Sequence, residues 1–161
     1  KALNGLFEHV RPDDLRCAYA RNKSLSLICL GSTIGNYTNL NEPFGLFSRL
    51  AKPGDGLLLG YQLKTHIQTT FAKYKANGLY IDLIGNYLTE TERRKIKWRL
   101  NAKTATVEAW LNNVQLFRSK KFTTNQIKHA AQKHGWREVL CSVDANKNMC
   151  LHAFTKHLSA P

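Results

Sequence analysis

The stretch Leu25-Ser-Leu-Ile-Cys-Leu-Gly31-Ser-Thr-Ile-Gly35-Asn36 sets two glycines, two hydroxyls and an amide at the end of an uncharged apolar run. Such a run reads as a buried strand, as in a parallel sheet. In open α/β sheets ligands bind beyond the carboxyl ends of the strands. Gly31 and Gly35 would let the backbone approach a ligand closely, Ser32 and Thr33 offer hydroxyls, and Asn36 offers an amide. These residues are therefore candidates for a small, polar, backbone-built site. The plainer reading is a strand-to-helix turn with Asn36 or Asn39 capping the next helix, and the segment alone leaves both open.

A second group is basic. Arg93-Arg-Lys-Ile-Lys-Trp-Arg99 and the cluster Arg118, Lys120, Lys121 lie near Trp98 and Trp110. Bases stacking on a tryptophan beside cations would suit single-stranded RNA; the alternative is a solvated outer face with Trp98 in the core. Lys plus Arg is 24 against 11 acids, a formal charge of +13, which suits an anionic partner such as a nucleic acid or nucleotide. Cys17, Cys29, Cys141 and Cys150 form no C-x-x-C pair, so neither zinc nor a disulfide framework is signalled. Cys29 reads as a small buried hydrophobe, and a reducing cytoplasm is the default compartment. His66, His129 and His152 lack ligand spacing and read as surface or core residues, so no metal is expected.

The elements that must position these groups follow from pattern. The chain has 161 residues, enough for one domain with a real core. No apolar run reaches the roughly 18 residues of a membrane span. The chain starts at Lys1 without a signal-peptide pattern, and is expected to be a piece of a longer protein. A short helix is predicted from Pro12, and a strand over 24–30. A helix over 41–51 follows, with Leu40, Phe44, Phe47 and Leu50 at helical spacing. Lys52-Pro-Gly-Asp-Gly56 stops it before a second apolar strand over 57–63, completing a βαβ unit. Residues 65–95 read as helical, with Thr89–Lys95 as a helix end or exposed link. Alternation at Ile96, Trp98 and Leu100, then Ala105, Val107, Ala109 and Leu111, predicts an antiparallel hairpin turning at Asn101–Thr104. A last helix opens at Thr123 or Thr124 and ends at Gly135, and strands follow at Trp136–Val143 and from Met149.

The strand, Gly31-Ser-Thr-Ile-Gly-Asn36, the helix, and Lys52-Pro-Gly-Asp-Gly-Leu-Leu-Leu-Gly60 together resemble the S-adenosylmethionine (SAM)-dependent histidine methyltransferases of ergothioneine biosynthesis and their relatives. Gly78 with Asn86 and Leu88, Val107-Glu-Ala-Trp-Leu111, and Ser119-Lys-Lys-Phe122 before a helix ending at Gly135-Trp136 are similar in order to later family segments. The resemblance spans about residues 24–157, the carboxyl-terminal half of the family's domain. It implies a partial class I methyltransferase (Rossmann-like) α/β sheet, mostly parallel with an antiparallel end and helices on its faces. Strands 24–30 and 57–63 would be the family's fourth and fifth, and 105–111 and 137–155 its sixth and seventh. It implies SAM as cofactor, held by Gly31, Ser32, Thr33 and His9, where His9 replaces the carboxylate that meets the adenine amine. It implies a small-molecule or amino-acid-type substrate at Asn36, Tyr74 and Ser119, with Tyr74 one residue out of register with the family's tyrosine.

Departures bear on function. The family's glycine-rich cofactor turn has no counterpart here. Phe117 stands where a glutamate grips the substrate's imidazole, and an apolar ring cannot accept that N–H, so free histidine is not the expected substrate. Two hypotheses follow: a methyltransferase-like domain acting on another nitrogen substrate, incomplete or inactive as an isolated chain, or a non-catalytic basic module for nucleic acid or a protein partner. With no strand before it, 24–30 would leave an apolar sheet edge that invites a homodimer.

Overall fold

The computed structural model describes Val10, Arg11, Asp13, residues 24–77, Asp82 and residues 84–157. His9, Cys17, most of the helix expected from Pro12, and Gly78, Leu79 and Leu83 lie outside the described residues.

The first apolar run forms β1 (Ser26–Cys29), the next helix is α1 (Asn41–Leu50), and the second run is β2 (Gly56–Gln62). β1 and β2 pair in parallel with Ser26 opposite Gly56, so the βαβ expectation holds. Asn39 rather than Asn36 holds the start of α1: its Oδ1 accepts the N–H of Asn41 at 2.9 Å and of Glu42 at 3.2 Å. The buried Asp55 accepts the N–H of Leu25 at 2.8 Å and of Lys52 at 2.7 Å, clamping the start of β1 to the start of β2. A buried N–H left unmet costs roughly 1–3 kcal/mol, so this carboxylate helps fix the register.

The last strands form a hairpin, β6 (Trp136–Val143) and β7 (Met149–Lys156), whose turn is closed by Asp144 Oδ1 accepting the N–H of Asn148 and of Met149, each at 2.7 Å. β7 lies between β2 and β6, giving the order β1-β2-β7-β6. The sheet is only partly parallel, which corrects the expectation of a mostly parallel one: β2–β7 and β6–β7 are both antiparallel. A tight hairpin with no crossover helix can return only antiparallel. The helix α4 (Thr124–Lys133), capped by Thr123 and Gln126 in a reciprocal box, packs with α1 on one face. Ile127 and Ala131 meet Phe44, Leu57, Leu59, Trp136 and Phe154 there. Burying one Leu or Ile fully contributes roughly 1.5–3 kcal/mol.

A second sheet follows the order β3 (Lys97–Asn101), β4 (Thr106–Leu111), β5 (Val114–Lys120), all antiparallel. This corrects the assignment of 105–111 as the sixth strand of the main sheet; that place belongs to β6. β4 has both of its backbone edges paired, to β3 and β5, and cannot join another sheet. β5 carries an unforeseen strand, although Asn112-Asn113 between two strands is a hairpin signal and Asn112 takes the left-handed φ of 54° that such turns need. Among the described residues of the expected helical span 65–95 are α2 (Ile67–Ala76) and α3 (Glu90–Arg94), the latter capped by Thr89 with Glu92, and Asp82 and Ile84 are also helical. A bridge between Leu63 and Phe122 joins the two sheets. Among the described residues no helix is long and apolar enough to cross a membrane.

Candidate active site

The loop after β1 is tied down by its own polar groups. Gly31 and Ser32 take left-handed φ values of 77° and 65°. Ser32 N–H donates to Gly60 O at 3.1 Å, and Ser32 Oγ accepts from Gln62 N at 3.0 Å. Thr33 Oγ1 donates back to Leu30 O at 3.2 Å. A Cβ on Gly35 would lie 2.6 Å from Lys120 O and 3.2 Å from Ser119 Oγ. The close approach that Gly35 permits is therefore to the end of β5, not to a ligand, which corrects the reading of that glycine. Asn36 ends the 3-10 turn Thr33–Asn36 and is exposed.

Seating Gly35 on β5 brings the loop against a buried polar cluster. Lys121 Nζ donates to Ser119 Oγ at 2.6 Å and to Tyr74 Oη at 2.9 Å, and lies 4.9 Å from the centroid of the Tyr74 ring. Tyr74 Oη donates to Gln62 Oε1 at 3.1 Å and lies 3.4 Å from Ser119 Oγ. Lys121 is 1% exposed, and burial pushes its amine down to about 7. Its hydrogen-bond partners are neutral hydroxyls, which do little to restore the charged form. Burial takes Lys121 out of the basic cluster expected with Arg118 and Lys120. Its N–H donates to Ala105 O at 2.9 Å, extending the β4–β5 ladder by one residue and turning the side chain to the face of Ser119. The Ser-x-Lys spacing is the signal that could have found it, since alternate residues of a strand share a face.

Of the positions singled out in sequence, Tyr74 and Ser119 are thus in direct contact, with Gly35 beside them. His9 lies outside the described residues. Phe117 adds an apolar wall, 5.4 Å from Tyr74 and 5.9 Å from Trp98 between ring centroids. Trp98 is half-buried, with one side packed on Tyr74 and Phe117. Trp110 faces outward, with the Arg99 guanidinium 5.2 Å from its ring and Glu108 accepting from its Nε1 at 3.0 Å. Glu108 pairs across the sheet with both Arg99 and Arg118, which dilutes the basic outer face.

A cleft of about 370 Å³ opens beside Tyr74 and Gln62, at the carboxyl end of β2. Lys73, Asn77, Asp144 and Asn148 line it, so one cation, one anion and several amides converge on a space of small-molecule size.

No protein-family model and no curated protein matches the chain. Solved structures do. A SAM-dependent methyltransferase from Methanosarcina mazei superposes with a TM-score of 0.51 at 11% identity, over 83% of this chain and 59% of that one. One from Clostridium acetobutylicum gives a TM-score of 0.49 at 8% identity, over 84% of this chain and 60% of that one. The glycopeptide N-methyltransferase MtfA, solved with S-adenosylhomocysteine, gives 0.46 at 12% identity, over 96% and 60%. The chain therefore spans about 60% of the length of these structures. At such identities the likeness concerns the fold: an α/β methyltransferase-like domain.

Proposed function

We propose that the chain is the acceptor-binding part of a SAM-dependent methyltransferase, acting on the amine nitrogen of a small, amino-acid-type molecule. The observation that carries this reading is the buried Lys121–Tyr74–Ser119 cluster adjoining a cleft that holds both Lys73 and Asp144. A zwitterion offers a carboxylate to Lys73 and an ammonium to Asp144, while Asn77 and Asn148 supply neutral donors and acceptors. Phe117 packs on Tyr74 beside the cleft and offers no acceptor to an imidazole N–H.

SAM, when bound, supplies an electrophilic methyl group on a sulfonium. What this chain offers it is the rim of β1. Leu30 is exposed, and a Cβ on Gly31 would meet nothing within 4 Å, which leaves open space at the strand's carboxyl end. The hydroxyls of Ser32 and Thr33 also hold the loop in place, Ser32 accepting from Gln62 N and Thr33 donating to Leu30 O. The chemistry left to the protein is orientation and removal of a proton. An alkylammonium must lose a proton before its nitrogen can act as a nucleophile. Tyr74 lines the cleft and its Oη meets Lys121 Nζ; with that amine neutral, as its pKa of about 7 allows, the phenol turns its O–H from Gln62 to the amine lone pair as it takes up the substrate's proton.

The test is calorimetric titration of the folded chain with the standard free amino acids. Saturable binding of one or a few of them, weakened about tenfold by Tyr74→Phe and by Lys73→Ala, is expected, with histidine not among the binders. Failure of every amino acid to bind a folded sample refutes the reading. Tight binding of a single-stranded oligonucleotide instead would favour the basic-module alternative.

A further inference from the structure

The hairpin of β6 and β7 gathers a second chemical cluster, remote in role from the methyl-transfer site. Cys141 stands opposite His152, and Cys150 stands opposite both Val143 and Tyr61. Residues opposite one another, or two apart on one strand, share a face, so Cys141, Cys150 and His152 converge. The two sulfurs are 3.6 Å apart, and the ligand atoms of all three residues lie within 4.8 Å of one another.

The histidine is already oriented. Its Nε2 lies 2.6 Å from Glu138 Oε2, and Glu138 is also held by Lys128 at 3.1 Å. Donation of the Nε2 proton to that carboxylate leaves Nδ1 as the nitrogen that can give a lone pair, and Nδ1 now meets Tyr61 Oη at 3.1 Å. A carboxylate behind a histidine is the arrangement that fixes tautomer and ring orientation in metal centres. His152 and Cys150 are buried, and Cys141 is exposed, which provides a way in.

Two chemistries compete for paired cysteines. A disulfide needs its sulfurs at about 2.05 Å, so here they would have to close by roughly 1.5 Å. Two thiolates sharing a tetrahedral zinc, each at about 2.3 Å from it, stand about 3.8 Å apart, which the observed 3.6 Å nearly meets. Two sulfurs and an imidazole form a soft donor set that suits zinc and disfavours magnesium or calcium.

We propose that Cys141, Cys150 and His152 form a zinc-binding site, with Glu138 as the positioning residue behind His152. Binding takes two thiolates, so two thiol protons leave to solvent as the sulfur–metal bonds form. The three protein ligands leave a fourth position for water or an added ligand. A bound ion ties β6 to β7 through its three ligands, pinning the far end of the sheet.

The test is titration of the reduced chain with Co²⁺ alone, followed by displacement with Zn²⁺. Tetrahedral thiolate coordination should show as visible d–d bands and a near-ultraviolet charge-transfer band, saturating at one ion per chain and abolished by Zn²⁺. Cys141→Ser changes an exposed side chain and so keeps the fold; it should cut affinity by more than tenfold. Glu138→Gln should cut it by about ten- to a hundredfold while keeping the thiolate band. His129→Gln, at an exposed helix position, should change nothing. Absence of the charge-transfer band, or a band that survives Cys141→Ser unaltered, overturns the assignment.

Discussion

Replacing Lys121 by methionine should make the protein more stable near neutral pH, and the gain should fade as pH rises. The wild-type amine sits at about 7 in the fold against an ordinary 10.5. Between those values the unfolded chain binds one proton more than the folded one, so wild-type stability increases with pH across that window. The full shift corresponds to on the order of 5 kcal/mol of disfavoured folding at pH 7. Methionine keeps the aliphatic volume but loses two hydrogen bonds, to Tyr74 and Ser119, at about 1 kcal/mol each. The variant should then be about 3 kcal/mol more stable near pH 7 and about 2 kcal/mol less stable above pH 10.5, the gap changing by about 1.4 kcal/mol per pH unit. Urea unfolding of both proteins, followed by tryptophan fluorescence in steps from pH 6 to about 10, reads this directly. Taking the difference removes the titration of groups common to both. A gap that does not vary with pH would show that Lys121 stays charged in the fold, and would remove the proton acceptor from the proposed chemistry.

Two further outcomes are expected. Gly35→Ala drives a methyl into Lys120 O and should cost about 1–3 kcal/mol in urea unfolding; an unchanged midpoint would show that the loop does not seat on β5 as described. We also propose self-association through β1, which ends the sheet among the described residues and leaves Ile28 64% exposed. Sedimentation should show concentration-dependent dimers that Ile28→Lys abolishes, whereas a monomer at all concentrations would refute the idea.

The legible parts of the fold were those written in local pattern. The uncharged runs of β1 and β2, the helical spacing of Phe44, Phe47 and Leu50, and the cap at Thr123 each depend on neighbours in sequence, and each formed where expected. What alternation cannot say is which strand pairs with which. The alternation over 105–111 marks a strand, but not its sheet, because its partners are decided by long-range register. Val114–Lys120 is hidden by its charges, since Arg118 and Lys120 interrupt any apolar signal. The site followed the same rule. Tyr74 and Ser119 were singled out, but 45 residues separate them, and only the folded chain shows that Lys121 completes the group. A lysine in a basic run reads as solvated, and the Ser-x-Lys spacing marks the one that turns inward only once Val114–Lys120 is known to be a strand. Cys141 and Cys150 looked dispersed because the hairpin register, with its bulge between Glu138 and Leu140, is what brings them together.

The most direct test of the central claim is calorimetric titration of the 161-residue chain with SAM and with S-adenosylhomocysteine. The account predicts saturable one-to-one binding of both, weakened by a bulky substitution at Gly31 on the open rim of β1. A folded sample that gives no heat with either would contradict a methyltransferase role for this chain and leave its fold as the only property shared with those enzymes.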